Sequence, residues 1–370
     1  MSVGYVTVQW NRKKIVYDAF VVALVIIYTQ LFVLVARQTL TGAERISEPI
    51  LQMRAFGSCA FLMLTLTLCI GPLARLNPRF LPILYNRRHL GVATFIVACW
   101  HAIQVTGFYQ AYGRFSQLQA LVRYDNTFTG SSVPFQFFGA GALLVFAVMA
   151  FTSHDFWQKA LGPTAWKSIH MGIYVAYALV LAHVFFGELQ WETHPAYFAF
   201  FSLSGASVIG LHLLAAFRST RIDGDAPVWV EHQGRRWLSA GLPESIPKNR
   251  AKPLAVPGGE RLAIIRYSGG VAALHGVCAH QGGPLYEGKV IDGCLTCPWH
   301  GWQYRPNDGC SPPPFTEKLP TYQVALKDGQ ILVDPDPLPP GTPTQPIVWP
   351  PSSDSSPTKT KSPSGVVDGE

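Results

Sequence analysis

From Ala19 to Phe217 the chain alternates apolar blocks with short polar breaks. The blocks are Ala19–Ala36, Ala55–Ala74, Leu90–Phe108, Phe135–Ser153, Ile169–Gly187 and Pro195–Phe217. Each holds about 18–23 residues, the length a helix needs to cross a bilayer's hydrocarbon core. The pattern therefore predicts six spans. Beyond Trp229 the period changes to short β-type runs, Val228–Val230, Leu262–Tyr267, Val271–Leu274, Tyr322–Leu326 and Ile331–Val333, divided by Gly-Gly, Asp-Gly and Pro turns. Such runs predict a small all-β domain. The expected organisation is a six-span membrane α-helical bundle over residues 1–217, a linker over 218–227, the β domain over 228–334, and a disordered Pro-, Ser- and Thr-rich tail over 335–370. A ten-residue linker reaches at most ~35 Å, so the β domain is expected close to the membrane face.

Composition supports a membrane protein. Charged residues make up 14% of the chain, against about 25% in ordinary soluble domains. The first apolar block follows Arg12, Lys13 and Lys14 but has only a weak cleavage signature, so it reads as an anchor rather than a signal peptide. The net charge of +7 reads as loop charge facing anionic lipid, because no aromatic-interleaved basic patch suits nucleic acid. With the N-terminus inside, nine Lys and Arg (Arg12, Lys13, Lys14, Arg75, Arg79, Arg87, Arg88, Lys159, Lys167) face five outside (Arg37, Arg45, Arg54, Arg114, Arg123). This bias predicts an inner-membrane protein with both termini and the β domain in the cytoplasm. The seven cysteines show no disulfide framework.

Candidate metal chemistry is concentrated in one stretch, Cys278 to Tyr304. Cys278-Ala-His280 and Cys297-Pro-Trp-His300 stand sixteen residues apart, and each is followed by a glycine-containing turn. Two thiolates and two imidazoles are the ligand set of a Rieske 2Fe-2S centre. A structural zinc site takes the same set but usually opens with C-x2-4-C rather than C-x-H.

With HQGGPL and PWHGW around its ligand pairs, this stretch resembles the Rieske ferredoxin and oxygenase-component family. Respiratory members of that wider group carry an extra cysteine in each loop; here Gly282 or Gly283 and Trp299 occupy those places. Those members also place a serine where this chain has Trp302, while Tyr304 is kept. The resemblance assigns Trp302 and Tyr304 to the immediate surroundings of the cluster. With one hydrogen-bond donor fewer, it implies a low potential, roughly −150 mV.

The apolar blocks contain histidines, which are costly in hydrocarbon and usually functional there. His89 and His170 fall near the inner face, and His101 and His183 roughly 18–20 Å further out. That arrangement suits haem held between the third and fifth spans. Asn86-Arg-Arg-His-Leu-Gly91, Trp100-His-Ala and Trp166-Lys-Ser-Ile-His170, with His183 thirteen residues on, resemble the ferric reductase-like transmembrane family. The resemblance implies one or two b-type haems at His101, His170 and His183, with His89 a further candidate. Where some members carry another histidine, this chain has Arg87. An ideal helix turns about 220° over thirteen residues, so His170 and His183 share a face only if the helix bends.

Together these features predict a membrane electron-transfer oxidoreductase that passes electrons between a cytoplasmic Rieske cluster and intramembrane haem. A separate donor, a reductase or a quinol, and a quinone or extracytoplasmic acceptor are implied, because no G-x-G-x-x-G nucleotide fingerprint is present. Two other readings stay open: an electron-transfer component of a membrane oxygenase system, and a redox sensor that binds cluster but no haem.

Overall fold

The computed structural model of the protein describes residues 12–40, 46–84, 86–112, 116, 119, 133–190, 194–224, 227–257 and 261–349. Its first half is helical: α1 (Arg12–Thr39), α2 (Glu48–Leu76), α3 (Arg87–Tyr112), α4 (Phe135–Phe151), α5 (Asp155–His170), α6 (Gly172–Phe186) and α7 (Pro195–Gly224). Phe61, Leu64 and Leu68 of α2 pack against Phe146, Ala176, Tyr177 and Val208 to form the bundle core. Leu24, Ile27, Ile96, Leu144, Leu203 and Leu213 point outward and exposed, as lipid-facing side chains do.

Among the described residues, the six spans expected from the sequence are found as five span-length apolar helices and one shorter apolar helix. The short one is α4, whose 17 residues rise about 26 Å, less than the ~30 Å hydrocarbon core. It stops where Thr152 and Ser153 turn their hydroxyls back onto the Val148 and Met149 carbonyls, and His154 Nδ1 then caps α5 by accepting from Phe156 N. The fifth span, Ala165–Gln190, is divided at Met171 between α5 and α6. Met171 itself keeps helical φ/ψ (−67°, −17°) and donates to Lys167 O.

The second half folds into β1 (Trp229–His232), β2 (Arg235–Gly241), β3 (Arg250–Ala255), β4 (Arg261–Tyr267), β5 (Gly270–His275), β6 (Lys289–Ile291), β7 (Cys294–Thr296), β8 (Gln303–Tyr304), β9 (Thr321–Tyr322), β10 (Val324–Lys327) and β11 (Gln330–Val333). One sheet has the order β1-β2-β11-β10 and the other β8-β7-β6-β3-β4-β5-β9. Pairing is antiparallel, and β4 and β5 place Ile264, Ile265, Ala273 and Leu274 fully inside. Strands β2, β3, β6, β7 and β8 lie outside the β-type runs visible in the sequence, because their apolar positions are few and they extend mainly through partner strands.

Two boundary expectations change. The linker expected over 218–227 is helix as far as Gly224: the last span ends its apolar run at Phe217, and its polar continuation keeps its helical hydrogen bonds. The tail expected to be disordered from 335 is ordered to 349. Ile347 exchanges backbone hydrogen bonds with Val271 at 2.8 and 2.9 Å, and Ile347 and Trp349 pack on the core around Val271, Tyr322 and Ile331. A single backbone bridge to Val271 of β5 and two apolar side chains outweigh the proline content there. Residues 350–370 lie outside the described residues.

The two halves meet directly. Arg261 of β4 donates to Ser219 Oγ of α7 at 2.6 Å, while within the bundle Arg218 Nη1 of α7 donates to Leu76 O of α2 at 2.7 Å. Trp299 packs against the small cluster of Ile70, Ala74 and Leu84, alongside Phe80 and Leu90.

Candidate metal and haem centres

Two hairpin-like loops at one end of the β domain carry the Cys and His pairs, and they are built alike. In the first, Cys278 N donates to Gly283 O and Gly282 N donates back to Cys278 O, both at 2.8 Å. In the second, Cys297 N donates to Trp302 O at 2.7 Å and Gly301 N to Cys297 O at 2.8 Å. The glycine four residues after each cysteine has positive φ, 69° at Gly282 and 71° at Gly301, where a side chain would be strained. Gly283 has a different constraint: a Cβ there would lie 2.6 Å from Cys297 Sγ.

The loops bring the four proposed donors together. Cys278 and Cys297 are each 2% exposed and pack in one cluster of the domain core. The His280 and His300 rings are 5.5 Å apart at 83°. His280 lies flat on Trp302, 4.0 Å between centroids at 7°. The Trp302 indole donates to Ser311 Oγ at 3.1 Å, away from the thiols. Tyr304 Oη lies 3.3 Å from Cys278 Sγ. Burial pushes the Cys297 thiol and the Tyr304 phenol up, and burial with the charge of Arg88 pushes His300 down. Thus His300 is neutral at pH 7, the form that binds metal. The Nδ1 atoms of His280 and His300 are buried and make no hydrogen bond, although both rings have other contacts. Paired thiols beside paired imidazoles match a two-iron cluster with two thiolates on one iron and two imidazoles on the other. Among the described residues no three of His, Cys, Asp or Glu converge on a single ion.

Within the bundle, His101 of α3 and His183 of α6 face one another, with ring centroids 6.4 Å apart at 75°. Nδ1 of His101 lies 2.9 Å from Met53 O and Nδ1 of His183 lies 2.9 Å from Phe135 O. A carbonyl only accepts, so both Nδ1 atoms donate and each Nε2 keeps its lone pair. Metal-bound imidazoles are commonly fixed in this way. Two metal–nitrogen bonds of about 2 Å set facing ring centroids roughly 6 Å apart, so the pair fits axial ligation of a haem iron. Glycines make the room: a Cβ at Gly57 would stand 3.0 Å from the His101 ring and one at Gly139 2.9 Å from His183. Sequence reasoning did not pick out these glycines, whose signal is their placement in helices facing histidine-bearing ones.

The other candidate histidines are placed differently. His170, the last residue of α5, stacks on Trp166 at 3.8 Å, with Nδ1 3.0 Å from Trp166 O and Nε2 3.5 Å from Ser153 Oγ. His89 Nδ1 is 3.0 Å from both carboxylate oxygens of Asp18. His212 bridges Val208 O and Tyr174 Oη at 2.8 and 2.9 Å.

Comparison with known proteins matches both halves. The family model for the Rieske [2Fe-2S] domain matches residues 236–323, and that for the ferric reductase like transmembrane component matches residues 56–181. Cholesterol 7-desaturase nvd of Xenopus laevis is 43% identical over 67 residues, 17% of this chain and 15% of that protein. Chlorophyllide a oxygenase of Chlamydomonas reinhardtii is 33% identical over 104 residues, 27% of this chain and 16% of that protein. The chain thus spans about a sixth of the length of these curated relatives. The anthranilate 1,2-dioxygenase ferredoxin subunit of Burkholderia cepacia is 34% identical over 82 residues, 21% of this chain and 74% of that subunit. Among solved structures, the ferredoxin of carbazole 1,9a-dioxygenase from Nocardioides aromaticivorans IC177 aligns at 20% identity over 30% of this chain and 100% of its own, with a TM-score of 0.25. The chain belongs to the Rieske [2Fe-2S] family and joins that domain to a ferric reductase like transmembrane component, as a multi-pass membrane redox protein.

Proposed function

We propose that this protein passes electrons between a 2Fe-2S cluster held by Cys278, His280, Cys297 and His300 and b-type haem held in the bundle by His101 and His183. One observation carries the reading: Trp299, beside the proposed ligand His300, packs on Ile70, Ala74 and Leu84 of the bundle. When bound, the two groups supply one-electron redox chemistry. The protein's own residues do the rest. Cys278 and Cys297 bind as thiolates, and His280 and His300 as neutral rings. Trp302 fixes the plane of His280, and Tyr304 donates to the Cys278 sulfur. The Met53 and Phe135 carbonyls hold the His101 and His183 tautomers with each Nε2 facing inward. His170 is proposed for a second haem nearer the Rieske domain; His89, a further haem candidate by resemblance, is assigned instead to its hydrogen bonds with Asp18. Loop charge puts the Rieske domain in the cytoplasm, where a separate reductase, or a quinol in the membrane, serves as donor. The acceptor is a quinone or an extracytoplasmic species.

The names of the curated relatives favour a second reading, in which this domain hands electrons to an oxygenase system. Purified protein decides between them. Sharp reduced α and β absorbance bands together with a Rieske-type EPR signal support the first; cluster without haem overturns it. In vesicles with the Rieske domain outward, a membrane-impermeant reduced donor protein should reduce the haem quickly in the parent and slowly in Cys297→Ala. Equal rates would show that electrons do not enter through the Rieske domain.

A further inference from the structure

The imidazole edge of the Rieske domain is turned toward the bundle, where Trp299 packs near Ile70, Ala74 and Leu90. It sits where the beginnings of α1 and α3 come together. Lys14, on the first turn of α1, is only 8% exposed, and Arg87 and Arg88 open α3. Tyr17 of α1 shares a cluster with Leu90 of α3, and Leu90 shares one with Trp299. Lys14, Arg87 and Arg88, each within a turn of those residues, therefore stand on the His300 side, where their charges act on its ring. Contacts remote from the metal ligands fix this placement. Arg261 of the Rieske domain donates to Ser219 Oγ of α7 at 2.6 Å, and the charges of Arg75 and Arg218 from the bundle act on Glu287 of the Rieske domain. The helical continuation of α7 to Gly224 leaves little slack in the join.

We propose that Lys14, Arg87 and Arg88 form a cationic socket for the imidazole edge of the Rieske domain, and that docking there raises the affinity of the bound cluster for an electron. This rests on the ligand assignment above and adds that the membrane domain, rather than the Rieske fold alone, sets the cluster's potential. The physical reason is simple. Reduction adds one negative charge to a group held by two thiolates, and a cation beside it in a medium of lowered dielectric favours the reduced form. Three cations from two spans favour it more than any one surface charge, because salt and water screen them less at a buried interface. The low potential expected from Trp302 is thereby opposed by charges that an isolated Rieske domain lacks.

The test is an EPR-monitored redox titration of the full-length protein in detergent, with haem absorbance as the check on folding. Arg88→Gln and Lys14→Gln should each lower the cluster midpoint, on a scale of about tenfold in the reduction equilibrium, or ~59 mV for one electron. Arg88→Lys should restore most of the shift. Arg261→Ala, which loosens the docked domain without touching the ligands or the socket, should lower the midpoint too, and Arg88→Gln added to it should do less than it does alone. A midpoint unchanged in Arg88→Gln, Lys14→Gln and Arg261→Ala, with Rieske signal and haem intact, overturns the socket while leaving the ligand assignment standing. A parent protein with no Rieske-type signal overturns both.

Discussion

His101 and His183 face each other across the bundle with ring centroids 6.4 Å apart and donate their outer nitrogens to the Met53 and Phe135 carbonyls. A hydrogen-bonded histidine pair of purely structural role would bring a ring nitrogen of one onto the other; here both Nδ1 protons are spent on the backbone. His183→Ala and His101→Ala should each remove b-haem absorbance while the Rieske signal stays. Gly139→Ala, whose Cβ would lie 2.9 Å from the His183 ring, should displace that ring and weaken haem retention without deleting a ligand. Full haem content in all three variants would return these residues to structural roles.

Tyr304 Oη stands 3.3 Å from Cys278 Sγ, the position of a donor to a thiolate. Tyr304→Phe removes that hydrogen bond and little volume. A hydrogen bond worth about 1 kcal/mol corresponds to ~40 mV for one electron. The cluster midpoint should therefore fall by roughly that amount, read by EPR titration with unchanged signal intensity. A rise in midpoint would place the phenol's influence elsewhere.

The segment after β11 belongs to the domain. Ile347 pairs with Val271 and packs on the core with Trp349. A soluble Rieske fragment ending at Asp334 should be less stable than one ending at Trp349. Ile347→Ala alone should cost about 1–2 kcal/mol, below the range for a fully buried isoleucine because the residue is half-exposed. Urea unfolding of the two fragments is the measurement, and equal midpoints would show the segment to be dispensable.

Glu287 gives the docked arrangement a pH signature. Burial raises its carboxyl above the ordinary glutamate value, although Arg75, Arg261 and Arg218 pull the other way. A group whose native value is raised binds its proton more tightly in the folded state. Its contribution is fully present below the unfolded value and is lost as pH rises through the native one. Thermal stability should therefore fall over the window opening near pH 4.5 and level off above the native value. Glu287→Gln should flatten that segment of the profile. A parent profile that rises there would show that the three arginines dominate.

Much of this protein was legible in its sequence, for physical reasons. A run such as Leu90–Phe108 announces a span because backbone polar groups can be satisfied in lipid only by a helix. Cys278, His280, Cys297 and His300 announce a metal site because short loops closed by Gly282 and Gly301 place donors that chain separation alone would not. The limits were equally physical. Nothing local marks β6, β7 or β8, which are strands only because partners supply their hydrogen bonds, and the prolines after Asp334 hide Ile347, whose order depends on Val271 across a sheet edge. The pairing of His101 with His183 also needed the tertiary structure, since the space left by Gly57 and Gly139 on facing helices decides which rings can meet. Above all, the docking of Trp299 and His300 beside Arg88 and Lys14 joins residues more than 200 positions apart. Sequence determines that each of these groups exists; only the packing of one domain on the other decides that Trp299 meets Ile70, Ala74 and Leu90.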